Sequence, residues 1–285
     1  MPGASDRPLE ILDALGIDGV TSATPVIGGA DTEIWRVEHG GLVSALRILR
    51  TEQAAVVPIE LASMRAASAV LPVPEIRAAG AWNDQPVMLI AWMPGETLLQ
   101  AVMGDLRMAK EWGRLLGEAQ ARLHGIEAPG GLPSAAESWL GRLNPELPAG
   151  ASGSTLLHFD FHPLNVLVHN GKISGVIDWT NAAAGDPRLD AARTRAVLES
   201  APVVFPNMDQ KSSREVLSQF SSGWQEAYEA RRGPLGDFDP FLQWALIATS
   251  RDLSKPGARK GSKAETLFGI TEVLGNLADV IKIVT

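Results

Sequence analysis

Residues 156–179 of this 285-residue chain read LLHFDFHPLNVLVHNGKISGVIDW, in which short apolar runs alternate with polar residues. These apolar runs are typical of buried strands. Asp160, Asn165 and Asp178 lie among these runs. Because a buried polar group lowers stability unless it has a partner, the three side chains are candidates for a functional site.

The spacing of these side chains indicates phosphoryl transfer. Asp160 and Asn165 are five positions apart, as in a kinase catalytic loop. The dipeptide Asn170-Gly171 predicts a tight hairpin that returns Asp178 beside Asn165. Two neighbouring oxygen ligands suit Mg²⁺, and Asp160 is then placed to accept a proton from a hydroxyl. Taken singly, such an Asp is usually a helix cap and such an Asn a turn residue, but the three spacings together favour a site.

Three strings of residues carry a resemblance to a known family. HFDFHPLNVLV, VIDW and AGDPRLD, at residues 158–168, 176–179 and 184–190, resemble the motifs of the aminoglycoside phosphotransferase and choline kinase family. The usual pattern in that family is H-G-D-x-H-x-x-N, followed later by I-D-W or I-D-F. The resemblance implies a protein-kinase-like fold and ATP-dependent phosphorylation of a hydroxyl on a small molecule.

The resemblance also implies roles for the three polar side chains. It makes Asp160 the catalytic base and makes Asn165 and Asp178 the metal ligands. One departure from the family pattern is Phe159, where glycine is common. Because Phe159 lies beside the reacting groups, we expect it to affect the acceptor pocket or the backbone path more than the type of reaction.

A different interpretation of the same stretch is a metal-dependent hydrolase. His158, Asp160 and His162 alternate, and alternating residues of a strand point to one face. Imidazole and carboxylate groups on one face suit Zn²⁺. Pro163 argues against a continuous strand here, since proline cannot donate a ladder hydrogen bond. In the kinase-like interpretation, His158 packs under the catalytic loop and His162 shapes it.

Composition excludes several classes of protein. The net charge of −8 argues against a general nucleic-acid binder. Cysteine is absent, which excludes disulfides, thiolate zinc sites and a cysteine nucleophile. The first ten residues lack the pattern of a signal peptide, and the apolar runs are shorter than a membrane span. We therefore expect a cytoplasmic protein that does not bind membranes.

Gly28 and Gly29 are candidates for contacts with nucleotide phosphates. They interrupt an extended stretch, residues 23–37, and peptide N–H groups in a glycine turn can approach phosphate closely. A plain hairpin turn is the alternative. The family resemblance favours the phosphate role.

Arg47 and Glu60 are a candidate ion pair. Arg47 lies in a predicted apolar strand, residues 42–49, where a charge lowers stability unless it is paired. Glu60 lies in the predicted helix 58–69. The pair resembles the strand-to-helix ion pair of kinases that positions the nucleotide phosphates, although the family more often has Lys at the position of Arg47. The alternative is an exposed Arg on an edge strand.

A linker at Met93-Pro94-Gly95 ends the predicted strands of the first half. We place the boundary between two lobes there, with residues 1–93 binding nucleotide and residues 94–285 carrying the catalytic and acceptor sites. The sequence thus predicts an α+β, two-lobed protein-kinase-like fold with a small β-rich first lobe and a larger, mainly helical second lobe.

The same segment is the expected adenine site. The resemblance makes Ala91, Trp92 and Met93 the hinge that hydrogen-bonds adenine through backbone groups. Backbone recognition leaves no side-chain signature, so the sequence does not distinguish ATP from GTP.

Helices dominate the predicted second lobe. Apolar residues from Met108 to Leu123 recur at helical spacing and indicate a core-facing helix over residues 107–124. Asp186 and Pro187 predict another helix start, and Asp190 within it either braces the catalytic loop or lies on the surface. The remaining predicted helices span residues 210–232, 240–253 and 264–283. Candidate carboxylates for the acceptor pocket are Glu226, Glu229, Asp237, Asp239 and Asp252.

Two functional hypotheses of different classes remain for the kinase-like interpretation. The first is an ATP- and Mg²⁺-dependent kinase of a hydroxylated small molecule such as an antibiotic, an amino alcohol or a sugar. The second is a nucleotide-binding module that has lost transfer activity, motivated by Arg47 and the short glycine turn. Turnover of an acceptor distinguishes the two.

Overall fold

The computed structural model describes residues 7–26, 32–200 and 208–253. The predicted phosphate-binding pair Gly28-Gly29 and the last predicted helix, residues 264–283, lie outside the described residues. A first helix, α1 (Arg7–Ala14), precedes the sheet.

The first part of the chain forms a five-stranded antiparallel sheet with the strand order β1-β2-β3-β5-β4. Its strands are β1 (Val20–Val26), β2 (Glu33–His39), β3 (Leu42–Ile48), β4 (Ile76–Trp82) and β5 (Gln85–Ala91). A 3-10 helix (Thr51–Val56) and α2 (Val57–Ala67) connect β3 to β4. Asn83 and Asp84, with φ of 47° and 62°, close the β4–β5 hairpin.

The two faces of this sheet have different partners. Leu46 and Ile48 of β3 pack with Ile11 of α1 in one buried cluster. Since alternate residues of a strand point to opposite faces, Arg47 points the other way, where it pairs with Glu60 of α2. A second cluster runs from α2 and β5 into the later part of the chain. The Arg47–Glu60 ion pair therefore lies on the face of the sheet that is covered by α2 and the second part of the chain.

The second part is mostly helical and contains short strands. Its helices are α3 (Leu98–Gly104), α4 (Ala109–Leu123), α5 (Trp139–Leu143), α6 (Pro187–Ser200), α7 (Gln210–Arg232) and α8 (Asp239–Leu253), with a 3-10 helix at Leu106–Met108. Its strands are β6 (Glu96–Thr97), β7 (Thr155–Leu157), β8 (Val166–His169), β9 (Lys172–Val176) and β10 (Ala183–Gly185). This arrangement confirms the predicted α+β class with a small β-rich part and a larger helical part. The boundary at residues 93/94 stays a prediction; β6, just beyond it, pairs with β8.

Helices α4 and α7 cross at unusually short range. A Cβ atom added to Gly117 would lie 2.1 Å from the carbonyl oxygen of Trp224, and one added to Gly113 would lie 2.0 Å from that of Phe220. Leu116 and Leu123 of α4 are fully buried, as expected, but Met108 is 42% exposed and is not part of the core. Met108 precedes α4, so the helical spacing of apolar residues extended the predicted stripe too far toward the amino terminus.

The described residues contain no helix that is long and apolar enough to span a membrane.

Gly117→Ala tests the close crossing of α4 and α7. The added methyl group must push the helices apart, which lowers the free energy of unfolding by about 1–3 kcal/mol. Gly104→Ala is the matched control, because Gly104 ends α3 and a Cβ there has nothing within 4 Å. Urea unfolding of both variants measures the difference. Equal stability of the two would contradict the crossing distance.

Candidate active site

The hairpin formed by β8 and β9 brings two of the predicted site residues together. Asn170 and Gly171, with φ of 51° and 73°, form its turn, and His169 pairs with Lys172. Beyond β9, the N–H of Ile177 donates to the carbonyl of Asn165 at 2.9 Å. This hydrogen bond holds the residue that precedes Asp178 against Asn165, as the sequence predicted.

Asp160 lies in the loop between β7 and β8 and is hydrogen-bonded on both carboxylate oxygens. Nδ2 of Asn165 donates to Oδ2 at 2.9 Å and to the Asp160 carbonyl at 3.0 Å. Nε2 of His162 is 3.1 Å from Oδ1. Since Nδ1 of His162 accepts from the N–H of Leu164, Nε2 is the nitrogen that donates to Asp160. These contacts fix the orientation of the carboxylate.

Asp160 is held in its ionised form. Burial raises its pKa, but the interactions with His162, including its hydrogen bond, and the charge of Arg193 outweigh that effect. The pKa therefore lies well below its ordinary value of 3.8. An ionised carboxylate in this position is able to orient a hydroxyl group and accept its proton.

Asn165 and Asp178 have the chemistry required of Mg²⁺ ligands. Because Nδ2 of Asn165 is turned to Asp160, its Oδ1 is the atom with ligand character. Asp178 adopts a φ of 67° and accepts a hydrogen bond from Thr180 Oγ1 at 2.8 Å. Mg²⁺ is commonly held by one or two protein oxygens, with water and phosphates completing the shell. The two side chains fit that ion.

The geometry contradicts the metal-hydrolase interpretation. His158 is fully buried, its Nδ1 accepts the N–H of Asp160 at 3.2 Å, and its Nε2 lies 3.2 Å from the carbonyl of Ile177. Both ring nitrogens are therefore occupied, and burial lowers the pKa of the ring. Within residues 7–26, 32–200 and 208–253, no three His, Asp or Glu side chains are grouped to hold a metal ion. His158 instead packs against Trp179 and Phe161 under the loop, as the kinase-like interpretation expected.

Arg47 and Glu60 form the expected ion pair through Nη1 and Oε1. Their side chains are 10% and 0% exposed, which excludes the alternative of an Arg on an exposed edge. Burial lowers the pKa of Arg47, but the charges of Glu60 and Asp178 outweigh it and raise the value overall. Burial also raises the pKa of Glu60, and the Asp178 charge raises it further against the effect of Arg47. Arg47, Glu60 and Asp178 are therefore close enough for their charges to interact.

The three predicted hinge residues lie at the end of β5: Ala91 is its last residue, and Trp92 and Met93 follow it. The N–H of Ala91 donates to the Glu75 carbonyl at 2.8 Å, and that of Trp92 donates to the Val43 carbonyl at 3.1 Å. The Trp92 side chain is 38% exposed. These two hydrogen bonds engage the N–H groups of Ala91 and Trp92. The N–H of Met93, the next residue, takes part in neither of them.

Asp190 braces the candidate catalytic loop, residues 158–165, and does not lie on the surface, which was the alternative. Its carboxylate is fully buried and accepts the N–H of Phe159 at 2.6 Å and that of His158 at 3.2 Å. Nε2 of His124 lies 2.9 Å from Oδ2, and Nδ1 of the same ring lies 2.7 Å from the hydroxyl of Tyr228. No pattern in the sequence singles out His124, because its partners are 66 and 104 positions away and no local spacing indicates them.

Phe159 takes the backbone conformation that glycine favours. Its φ is 59°, in the left-handed region, which costs a non-glycine residue about 1–2 kcal/mol. Its ring is fully buried with Leu189 of α6 and Trp244 of α8. The departure from the family pattern therefore places an aromatic ring between the catalytic loop and α8.

Family membership follows from a direct comparison. The model of the phosphotransferase enzyme family matches residues 22–152 and 130–234, together more than half of the chain. The chain belongs to this family. The matched ranges contain the predicted base, metal ligands and nucleotide-binding residues.

Solved structures of phosphotransferases share the fold. Aminoglycoside phosphotransferase APH(4)-Ia aligns with a TM-score of 0.65 and 16% identity over 98% of this chain and 99% of that one. A thermostable mutant of it, solved with ADP and hygromycin B, gives 0.60 and 17% over 87% and 89%. Macrolide 2'-phosphotransferase MphH from Brachybacterium faecium gives 0.52 and 20% over 94% and 99%. At these identities the likeness shows the fold.

A curated relative matches a much shorter segment. YcbJ of Bacillus subtilis strain 168, an uncharacterized protein, is 45% identical over 38 residues. The segment is 13% of this chain and 12% of that protein.

Asp190→Asn tests the brace. The amide has one acceptor oxygen for the several donors that the carboxylate satisfies, so we expect the free energy of unfolding to fall by about 3 kcal/mol at neutral pH. Burial raises the pKa of Asp190, but the hydrogen bond and charge of His124 and the His158 contacts hold it below 3.8. A depressed pKa stabilises the fold above the unfolded value, so the difference between wild type and variant should shrink as pH falls below about 4.

Urea midpoints measured from pH 7 to pH 3 check this dependence. Asp13→Asn, at an exposed carboxylate of α1, is the control and should leave the midpoint unchanged. A difference between wild type and Asp190→Asn that stays constant over the whole pH range would contradict the role of the ionised carboxylate.

Proposed function

We propose that the chain is an ATP- and Mg²⁺-dependent phosphotransferase that phosphorylates a hydroxyl group of a small molecule. The observation that carries the proposal is the hydrogen-bonded pair of Asp160 and Asn165, with the segment before Asp178 bonded to Asn165. Family membership supports the reaction type.

The proposed catalytic roles follow from the side-chain chemistry. Asn165 Oδ1 and the Asp178 carboxylate would hold Mg²⁺, which neutralises charge on the nucleotide phosphates when bound. Arg47, held by Glu60, binds the phosphates. Its planar guanidinium can grip phosphate through two hydrogen bonds, so it can take the place of the more common Lys. Gly28 and Gly29 stay proposed phosphate contacts.

Asp160 acts on the acceptor in this proposal. Its carboxylate orients the hydroxyl and takes the proton while the hydroxyl oxygen bonds to the γ-phosphorus. The bond from that phosphorus to the β–γ bridging oxygen breaks, which releases ADP. Positioning and charge neutralisation supply most of the rate enhancement in such transfers. The contacts of His162 and Asn165 keep the base in place.

The hinge binds the nucleobase in this proposal. Ala91 and Trp92 use their N–H groups within the protein, so the N–H of Met93 is the proposed donor to the adenine ring. The exposed part of Trp92 lies at the edge of the same segment. A guanine base offers a different donor and acceptor pattern, so competition between ATP and GTP tests the assignment.

Two structural neighbours support the proposed class of acceptor. One structural neighbour is solved with hygromycin B, and another is a macrolide phosphotransferase. We propose a hydroxylated small molecule, with antibiotics, amino alcohols and sugars as the first acceptors to test. The net charge of −8 supports a partner other than nucleic acid, and we propose a cytoplasmic location, where ATP is available. We also propose the lobe boundary at residues 93/94.

A nucleotide-binding module without transfer activity is the second candidate, and Arg47 is the observation that favours it. The reason is that Arg replaces the Lys that is more common at this position. Against this candidate, the buried Arg47–Glu60 pair retains the positive charge that phosphate binding needs. Phosphate transfer to any acceptor therefore decides between the candidates.

Asp160→Ala and Asp178→Ala separate the roles of base and metal ligand. Removing the base should lower phosphoryl transfer by at least about 100-fold and leave the Kd for MgATP within about threefold. Removing the metal ligand should weaken MgATP binding as well, because the phosphates lose their cation. Isothermal titration with MgATP and transfer of labelled γ-phosphate to an acceptor panel measure both effects.

Asp13→Ala, on the exposed side of α1, is the control for loss of a carboxylate and should keep wild-type transfer and binding. Transfer by Asp160→Ala at the wild-type rate would refute the base assignment. MgATP binding by wild type without transfer to any of the acceptors would favour the second candidate.

A further inference from the structure

The linker Met93-Pro94-Gly95 lies against strand β9. Oγ of Ser174 donates to the carbonyl of Pro94 at 2.6 Å. The Met93 side chain lies over Gly175, since a Cβ atom added to this glycine would be 3.2 Å from Cβ and Cγ of Met93 and 3.3 Å from its Cε. Two consecutive residues of β9 therefore hold two consecutive residues of the linker.

An irregularity of the hairpin directs Ser174 to the linker. The register of β8 against β9 shifts so that Ser174 has no residue opposite it, although both of its neighbours, Ile173 and Gly175, are paired. Such a β-bulge changes the direction in which the extra side chain points. Here the extra residue is the one whose hydroxyl reaches the Pro94 carbonyl.

Gly95 brings the linker close to the other strand of the hairpin. Its φ is 103°, and an added Cβ atom would lie 2.0 Å from the carbonyl oxygen of Val168 in β8. Both features require glycine. Glu96, the first residue of β6, then pairs with Val168. The linker is thus fixed to both strands of the hairpin.

The same hairpin carries the proposed metal ligands. Asn165 directly precedes β8, and its carbonyl accepts the N–H of Ile177 just after β9. Asp178 follows Ile177 and is three positions beyond Gly175. One short strand therefore leads from the residue under Met93 to a ligand of the proposed metal ion.

We propose that β9 positions the donor to the nucleobase: Ser174 and Gly175 fix the linker relative to the metal site, so that one nucleotide engages both together. A ligand held at both ends gains most affinity when the two sites are already at the right separation. The proposal rests on the proposed function for two assignments, the N–H of Met93 as the donor to the base and Asp178 as a metal ligand.

Gly175→Val tests the proposal through a difference between two ligands. Valine suits a strand, but here its side chain must displace Met93. The Kd for MgATP should rise at least about fivefold, whereas the Kd for magnesium tripolyphosphate, which has no base, should stay within about twofold. Isothermal titration measures both. A variant that acts only through loss of stability would weaken the two ligands alike.

Ser174→Ala tests the hydrogen bond to the linker. Losing it should raise the Kd for MgATP at least about twofold and leave tripolyphosphate binding unchanged. Ser174→Thr keeps the hydroxyl and should bind MgATP as the wild type does. Failure of this conservative variant to restore binding would contradict a role for the hydroxyl.

Gly80→Val and Ser68→Ala are the matched controls, and both lie in the first part of the chain, outside β9 and the linker. A Cβ atom added to Gly80 in β4 would be 3.2 Å from Cδ2 of Leu15. The Ser68 hydroxyl donates to the carbonyl of Arg65 at 2.8 Å. Each control thus repeats the local contact of its test residue, and both should keep the Kd for MgATP within about twofold.

A double-mutant cycle with Met93→Ala tests the contact without any ligand. Because Met93→Ala removes Cγ and Cε, Gly175→Val should lower the urea midpoint less in that background than in the wild type. Equal losses in the two backgrounds, or equal weakening of MgATP and tripolyphosphate, would overturn the proposal. Absence of MgATP binding by the wild type would instead count against the proposed function, and the cycle would still decide whether β9 holds the linker.

Discussion

The buried carboxylate of Asp190 fixes the loop on which the candidate site depends. It accepts two consecutive peptide N–H groups, those of His158 and Phe159, immediately before Asp160. A carboxylate inside the protein must be compensated by donors, and here the compensation determines the path of the loop. The left-handed φ of Phe159 lies within this braced segment, so the tertiary contacts hold a conformation that the local sequence disfavours.

The same principle of compensated burial explains the other polar groups of the site. Glu60 is matched by Arg47, both nitrogens of His158 are occupied, and each oxygen of Asp160 has a donor. Two of these partners, Arg47 and the carbonyl of Ile177, lie outside the loop of Asp160, and the hydrophobic cluster that continues from α2 and β5 into the second part holds these segments together. Rigid placement of charged groups is what phosphoryl transfer requires of a protein, because positioning supplies most of its rate enhancement.

Features with a local cause could be predicted from the sequence. The Asn-Gly turn, the pairing of Arg47 with Glu60 and the start of α6 at Pro187 each follow from a short pattern, and the structure contains all three. Contacts between distant positions could not be predicted in this way. The partners of His124 and the position of Arg193 between Asp160 and Asp252 depend on how α4, α6, α7 and α8 pack, for which no spacing in the sequence is diagnostic. Met108 was wrongly predicted to face the core, because apolar residues at helical spacing continue past the amino-terminal end of the buried stripe of α4.

A crystal structure with Mn²⁺ and a non-hydrolysable ATP analogue would show whether Asp160, Asn165 and Asp178 converge on one nucleotide-bound metal ion. Mn²⁺ takes oxygen ligands as Mg²⁺ does and is located by its anomalous scattering. We expect an anomalous peak coordinated by Asn165 Oδ1, the Asp178 carboxylate and the phosphates, with the γ-phosphate facing Asp160. A metal bound by His158 or His162, or a nucleotide bound away from Asp178, would contradict it.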